Sequence, residues 1–230
     1  MGITPNGYSE PDYLGWEIKQ FAVKDFMKYN SSIVTLMTPE PKHGFYADSG
    51  VESFIRKYGY EDKMGREARL NFGGIHKFGG IQQSTNLKLI IEGFDSETKK
   101  IIDTNGFIGL VDTKENIAAS WSFASLLKHW NTKHAKACYV PSLIRKDTEL
   151  YPFSKQQYFY GNNIMLGNET DFSLFLNQVE NGNIYYDPGI KLELAIDGER
   201  KQNIKRRSQF RIKSGNLAKL YKKNEVIDIQ

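Results

Sequence analysis

Two periodicities alternate along this chain. Trp16–Val23 (Trp-Glu-Ile-Lys-Gln-Phe-Ala-Val) has the period of two that predicts a strand. Ser31–Met37 predicts a second strand, stopped by Thr38-Pro39-Glu40-Pro41 and joined to the first as a hairpin-like pair through Lys24–Asn30. Ser49 reads as the N-cap of a helix running through Val51–Tyr58. Residues 59–82 are rich in glycine and charge, the composition of a long functional loop or ragged hairpin rather than of core. Leu87–Ile91 and Phe107–Val111 are short apolar strands, with a polar turn at Asp95–Lys100. Ile117, Trp121, Ala124 and Leu127 recur every three to four residues and predict a helix over 115–130, packed on the sheet. Strands follow at 135–140 and 156–160. Phe172, Phe175, Leu176 and Val179 then mark a helix that starts at Asn168 or Thr170 and ends at Asn181-Gly182. Ile190–Ile196 is another strand, and the chain closes with a short helix near 215–222 and a strand at Val226–Ile229. The pattern is that of an α/β protein with a mixed sheet and helices on it. Internal repeats, low-complexity tracts and a phosphate loop of the G-x-x-x-x-G-K-[ST] type are absent from the sequence.

At 230 residues the chain is long enough for one sizeable core with, at most, a small extra lobe. No apolar run approaches the length of a membrane span, and the N-terminus lacks a signal-peptide pattern. A single cysteine, Cys138, rules out an internal disulfide framework and suits a reducing cytoplasm; its surroundings read as a buried strand. The four histidines show no metal-ligand spacing with it, which argues against zinc.

Charge changes the picture more than composition does. Residues 198–223 hold ten Lys/Arg and one Glu, a local +9 within a net charge of +4. A soluble basic tail is one reading. The other is a half-buried strand, because Phe210 and Ile212 alternate with Gln209, Arg211 and Lys213. A folded basic ribbon beside an acidic remainder is the electrostatic footprint of a phosphate-backbone binder.

The candidate chemistry lies near the start, in Pro11-Asp12-Tyr13-Leu14-Gly15-Trp16-Glu17-Ile18-Lys19. On a strand Glu17 and Lys19 share a face, roughly 7 Å apart. With Asp12 in the preceding turn, two carboxylates and one ammonium converge, an arrangement suited to a divalent metal ion and a phosphodiester. Glu-x-Lys also occurs at Glu40/Lys42, Glu61/Lys63, Glu97/Lys99 and Glu199/Lys201. Only Glu17 and Glu97 have an acidic residue five positions earlier, and Glu97 lies in a turn-like stretch. A surface Glu–Lys pair with an aspartate in a turn remains the alternative.

These residues resemble the PD-(D/E)xK nuclease signature of the MutH-like branch, and more closely the MvaI/BcnI family of type II restriction endonucleases. The resemblance continues in Phe54-Ile55-Arg56-Lys57-Tyr58-Gly59 with Asp62, Lys63 and Gly65, in Ser120-Trp121-Ser122-Phe123, in Asn177–Ile184, and in Phe210-Arg211-Ile212. It spans residues 11–229 in the family's order. It implies a restriction-endonuclease-like fold, with a catalytic core over 1–165 and a C-terminal DNA-recognition lobe over 166–230. It implies Mg²⁺-dependent hydrolysis of DNA by a monomer. Asp12, Glu17 and the Ile18 carbonyl are the implied metal ligands, and Lys19 the residue that orients water or stabilises charge on the phosphate. Base-reading residues of the family map to Lys191, Glu193, Lys205, Arg206, Arg207, Gln209 and Arg211. Here the sequence departs from the family pattern, so a different recognition site is expected. A companion DNA methyltransferase fits the same implication. A MutH-like nicking repair enzyme and a DNA-binding module without catalysis are the alternative readings. Only eleven residues precede Asp12 where the family carries a helical segment, so the chain is expected to be the C-terminal part of a longer polypeptide.

Overall fold

A computed structural model describes residues 11–66, 68–145, 156–193 and 203–229. The basic residues at 200 and 201, the end of the strand expected over 190–196, and the segment before Pro11 lie outside them. The chain packs as two compact units that are interleaved along the sequence. One takes Met1–Val34, Lys128–Phe175 and Ile212–Gln230; the other takes Thr35–Leu127 and Leu176–Arg211.

The first unit is built on a mixed sheet in the order Glu17–Ala22, Lys136–Arg145, Asn163–Asn168, Lys223–Asp228, with Gln157–Tyr160 also paired to Lys136–Arg145. Glu17–Ala22 runs parallel to Lys136–Arg145 and the remaining pairs are antiparallel. A parallel neighbour requires a long crossover, and here it is the whole stretch between residues 22 and 136. Tyr139 and Trp130 are fully buried in this unit. The Trp130 ring packs against Phe175 at 4.9 Å, and its Nε1 donates to Thr170 Oγ1.

The second unit holds two four-stranded sheets. In one, Phe107–Val111 lies between Ile117–Ser122 and Leu87–Glu92, with Ile81–Gln82 at the edge. In the other, Arg69–Gly73 pairs with Gly189–Glu193, and Tyr60–Glu61 and Asn203–Lys205 flank them. Trp121, Tyr186 and Phe210 form a buried aromatic cluster with centroids 4.7 to 5.5 Å apart. Trp121 Nε1 and the Ser208 hydroxyl both donate to the Pro39 carbonyl.

Several expectations need correcting. The strand at Glu17–Ala22 pairs with Lys136–Arg145, not with Ile33–Met37. The helix expected over 115–130 is a strand, Ile117–Ser122, followed by a helix, Phe123–His134. Ladder hydrogen bonds to Phe107–Val111 claim the first half, and Ser122 Oγ accepts the Ser125 N–H to start the helix. The helix expected from Ser49 begins at Phe45 and is broken at Gly50, whose φ is 80°. The 59–82 stretch contains a true strand, Arg69–Gly73, and its Phe72 and His76 are fully buried. The basic ribbon behaves as the alternation predicts: Phe210–Lys213 is a strand with Phe210 and Ile212 buried.

Candidate active site and nucleic-acid interface

A tight turn delivers the motif. Tyr13 N–H donates to the Trp16 carbonyl at 3.0 Å and Trp16 N–H returns the bond to Tyr13 at 2.8 Å. Leu14 and Gly15 between them have φ values of 46° and 79°, the doubly left-handed backbone of a type I′ turn. The turn folds Asp12 back beside the strand that follows. Asp12 Oδ2 accepts the Ile18 N–H at 2.9 Å, a backbone donor left over on the free edge of the sheet.

Glu17 opens that strand opposite Ala137, and Lys19 lies two residues on, opposite Tyr139. Their side chains share a face, as the period of two requires. Glu17 is only 7% exposed, and two ammonium groups hold it. Lys19 Nζ is 3.5 Å from Oε1, and Lys133 Nζ is 3.1 Å from Oε2. Burial pushes the Lys19 pKa below its ordinary value; the Glu17 carboxylate pulls it back up, while the Lys133 charge adds to the lowering. Asp12 acts on Lys19 in the same sense as Glu17. Asp12, Glu17, Ile18 and Lys19 are therefore brought together as the sequence spacing predicts.

Lys133 is the residue that sequence reasoning missed. It sits in the last turn of the Phe123–His134 helix, and its neighbour His134 anchors that turn. The His134 ring stacks on Trp130 at 4.1 Å and lies 3.3 Å from the hydroxyls of both Tyr139 and Tyr221. Those hydroxyls are 2.8 Å apart, and burial raises both phenol pKa values, so the pair stays neutral. A lysine at the C-terminal end of an amphipathic helix reads as a solvated cap in sequence. Nothing local marks it as a partner of Glu17.

The candidate recognition residues fall in the other unit. Lys191 is half-buried in the middle of its strand, opposite Asn71 on one side and Lys205 on the other. Glu193, Lys205, Arg206 and Arg207 are exposed. The Arg207 guanidinium lies over Gly189, so close that a Cβ there would meet its Nε at 2.6 Å. Gln209 is half-buried, with its Oε1 enclosed and lacking a hydrogen-bond partner. Arg211 is ion-paired with Asp187, and its Nε donates to Thr35 Oγ1 at 3.2 Å.

A mixed sheet whose edge strand opens with Glu and Lys, with an aspartate folded back beside it, fits a restriction-endonuclease-like fold. The same fold appears in two solved structures, both under 25% identical to this chain. The restriction endonuclease MvaI in a cognate DNA complex aligns with a TM-score of 0.64 at 20% identity, over 97% of this chain and 82% of that one. MvaI in the absence of DNA aligns with a TM-score of 0.55 at 21% identity, over 94% and 80%. Residues 1–221 match the MvaI/BcnI restriction endonuclease family, and the chain belongs to it. It is accordingly a site-specific deoxyribonuclease. No curated protein matches the sequence.

Proposed function

We propose that this protein is a type II restriction enzyme that hydrolyses phosphodiesters of duplex DNA at a defined sequence with Mg²⁺, through Asp12, Glu17 and Lys19. The observation that carries the reading is the cluster at the start of the Glu17–Ala22 strand, where two carboxylates and two ammonium groups meet. Among the described residues no three His, Cys, Asp or Glu side chains gather into a metal cluster. The ligand set that the family resemblance implies is two carboxylates completed by the Ile18 carbonyl. These are hard oxygen donors, as Mg²⁺ prefers, and Glu17 already draws two cations. The chemistry such an ion supplies when bound is polarisation of the phosphoryl oxygen and a lowered pKa for water.

The chain's own side chains do the rest. Lys19, shielded and paired with Glu17, presents an ammonium where negative charge builds on the scissile phosphate. Asp12 is kept in place by the Ile18 N–H, which leaves its other oxygen free to bind. Exposed Lys205, Arg206 and Arg207 contact phosphates, whereas Lys191 and Glu193 face base edges; Gln209, with its oxygen enclosed, and Arg211, anchored by Asp187, support them. The soluble duplex partner fits a cytoplasmic enzyme, and no helix among the described residues is long and apolar enough to cross a membrane.

Plasmid digestion tests this reading. Cleavage at fixed positions in Mg²⁺, absent in EDTA, is the expected result. Asp12→Ala and Lys19→Ala should abolish cutting while duplex binding persists. Undiminished cutting by either variant overturns the site.

A further inference from the structure

The Arg69–Gly73 strand carries a side chain arranged for base recognition that lies outside the basic ribbon. Asn71 sits at the centre of a four-stranded sheet, directly opposite Tyr60 on one side and Lys191 on the other, with Lys205 next beyond Lys191. Directly opposed residues share a face, so these four side chains form one row. One step along the same face, Gly73 opposes Gly189. Neither has a side chain, and the Arg207 guanidinium lies over Gly189 instead. The row is therefore polar and cationic at one end, with the Tyr60 hydroxyl over Gly73 and the Arg207 guanidinium over Gly189. That is the profile of a β-surface that enters a major groove.

Asn71 is also oriented. Its Nδ2 donates to Asp62 Oδ2 at 3.3 Å. Asp62 itself is fixed by accepting the Met64 N–H at 2.8 Å and by Arg69 Nε at 3.2 Å, in a pair whose side chains are 9% and 8% exposed. A carboxamide has two N–H donors and one acceptor oxygen. With one donor committed to Asp62, Asn71 retains one N–H and its Oδ1 for a ligand. Adenine in the major groove offers the complementary pair, an N7 acceptor and an N6 donor.

We propose that Asn71, with its carboxamide held by Asp62, is a specificity-determining residue that reads an adenine of the recognition sequence. The proposal rests on the nuclease reading above. Sequencing the ends cut from a randomised duplex library in Mg²⁺ tests both and separates them. Wild-type protein should cut at a defined site containing an A·T pair, and Asn71→Ala should lose discrimination at that one pair by roughly 10- to 100-fold. Asn71→Asp fills the same space but lacks the N–H, and should lose the same preference. The isosteric variant answers the question even where alanine fails to fold. Wild-type protein that cuts nothing overturns the nuclease reading and this assignment with it. Defined wild-type cutting overturns the assignment alone if the variants keep full discrimination, lose activity equally at every site, or if the site has no A·T preference.

Discussion

Lys133 Nζ lies 3.1 Å from Glu17 Oε2, although 116 residues of chain separate the two. With Lys19 on the other oxygen, the buried carboxylate is held from both sides. Removing one partner of a buried ion pair leaves the other uncompensated. Lys133→Met should therefore lower the single-turnover cleavage rate by roughly 10- to 100-fold, the usual range when a support of a metal ligand is lost. Lys133→Arg should retain most of the rate, and duplex affinity should hold in both. An unchanged rate in Lys133→Met would show that Glu17 needs no second cation.

The turn that carries Asp12 is held by an unfavourable residue. Leu14 is 80% exposed and sits at a φ of 46°, where a leucine is strained and asparagine is not. Leu14→Asn should raise unfolding stability by about 0.5–1 kcal/mol in urea titrations with cleavage preserved. Gly15→Ala should act in the opposite direction, by about 1–2 kcal/mol. A Cβ there would meet no atom within 4 Å, so the cost is backbone strain alone. Equal stabilities for the two variants would refute the type I′ assignment.

His76 predicts a pH dependence of folding. It is fully buried, its Nδ1 lies 3.0 Å from the Gly74 carbonyl and its Nε2 lies 2.9 Å from Thr85 Oγ1. Burial pulls its pKa from 6.5 down to about 4. The unfolded chain therefore binds a proton that the folded chain refuses between those values. Stability is fully present above pH 6.5 and falls as the pH drops toward 4, by about 3 kcal/mol from this group. Denaturant midpoints at pH 7 and pH 4.5 measure the loss, and His76→Gln should flatten it. A midpoint that rises on acidification would contradict the assignment.

Arg211 should matter for stability before it matters for recognition. It pairs with Asp187 and bonds Thr35, and its side chain is 25% exposed. Arg211→Ala is expected to cost about 1–2 kcal/mol in urea, with a smaller loss of duplex affinity than Arg207→Ala. The reverse order of affinities would make Arg211 a direct DNA contact.

Local chemistry made part of this protein legible in its sequence. The Asp12–Glu17–Lys19 spacing needs only a turn and one strand, so period two and the Leu14-Gly15 pair suffice to bring it together. The Phe210–Lys213 ribbon is legible for the same reason, since alternation with a covered face leaves one register. The Ile117–Ser122 strand is hidden because Ile117 and Trp121 repeat at helical spacing by coincidence. Their backbone groups pair with Phe107–Val111, a pairing that the periodicity of 117–121 does not announce. Long-range pairing decided the rest. The parallel neighbour of Glu17–Ala22 lies more than a hundred residues further along the chain, so neither it nor Lys133 is visible from the motif. Asn71 likewise acquires its neighbours only when Gly189–Glu193 pairs with its strand from more than a hundred residues away. The sequence alone determined which side chains gather near residue 12, because spacing within a strand sets their face. Only the tertiary structure decided which distant cation, carboxylate or amide meets them, because burial and strand order are properties of the whole chain.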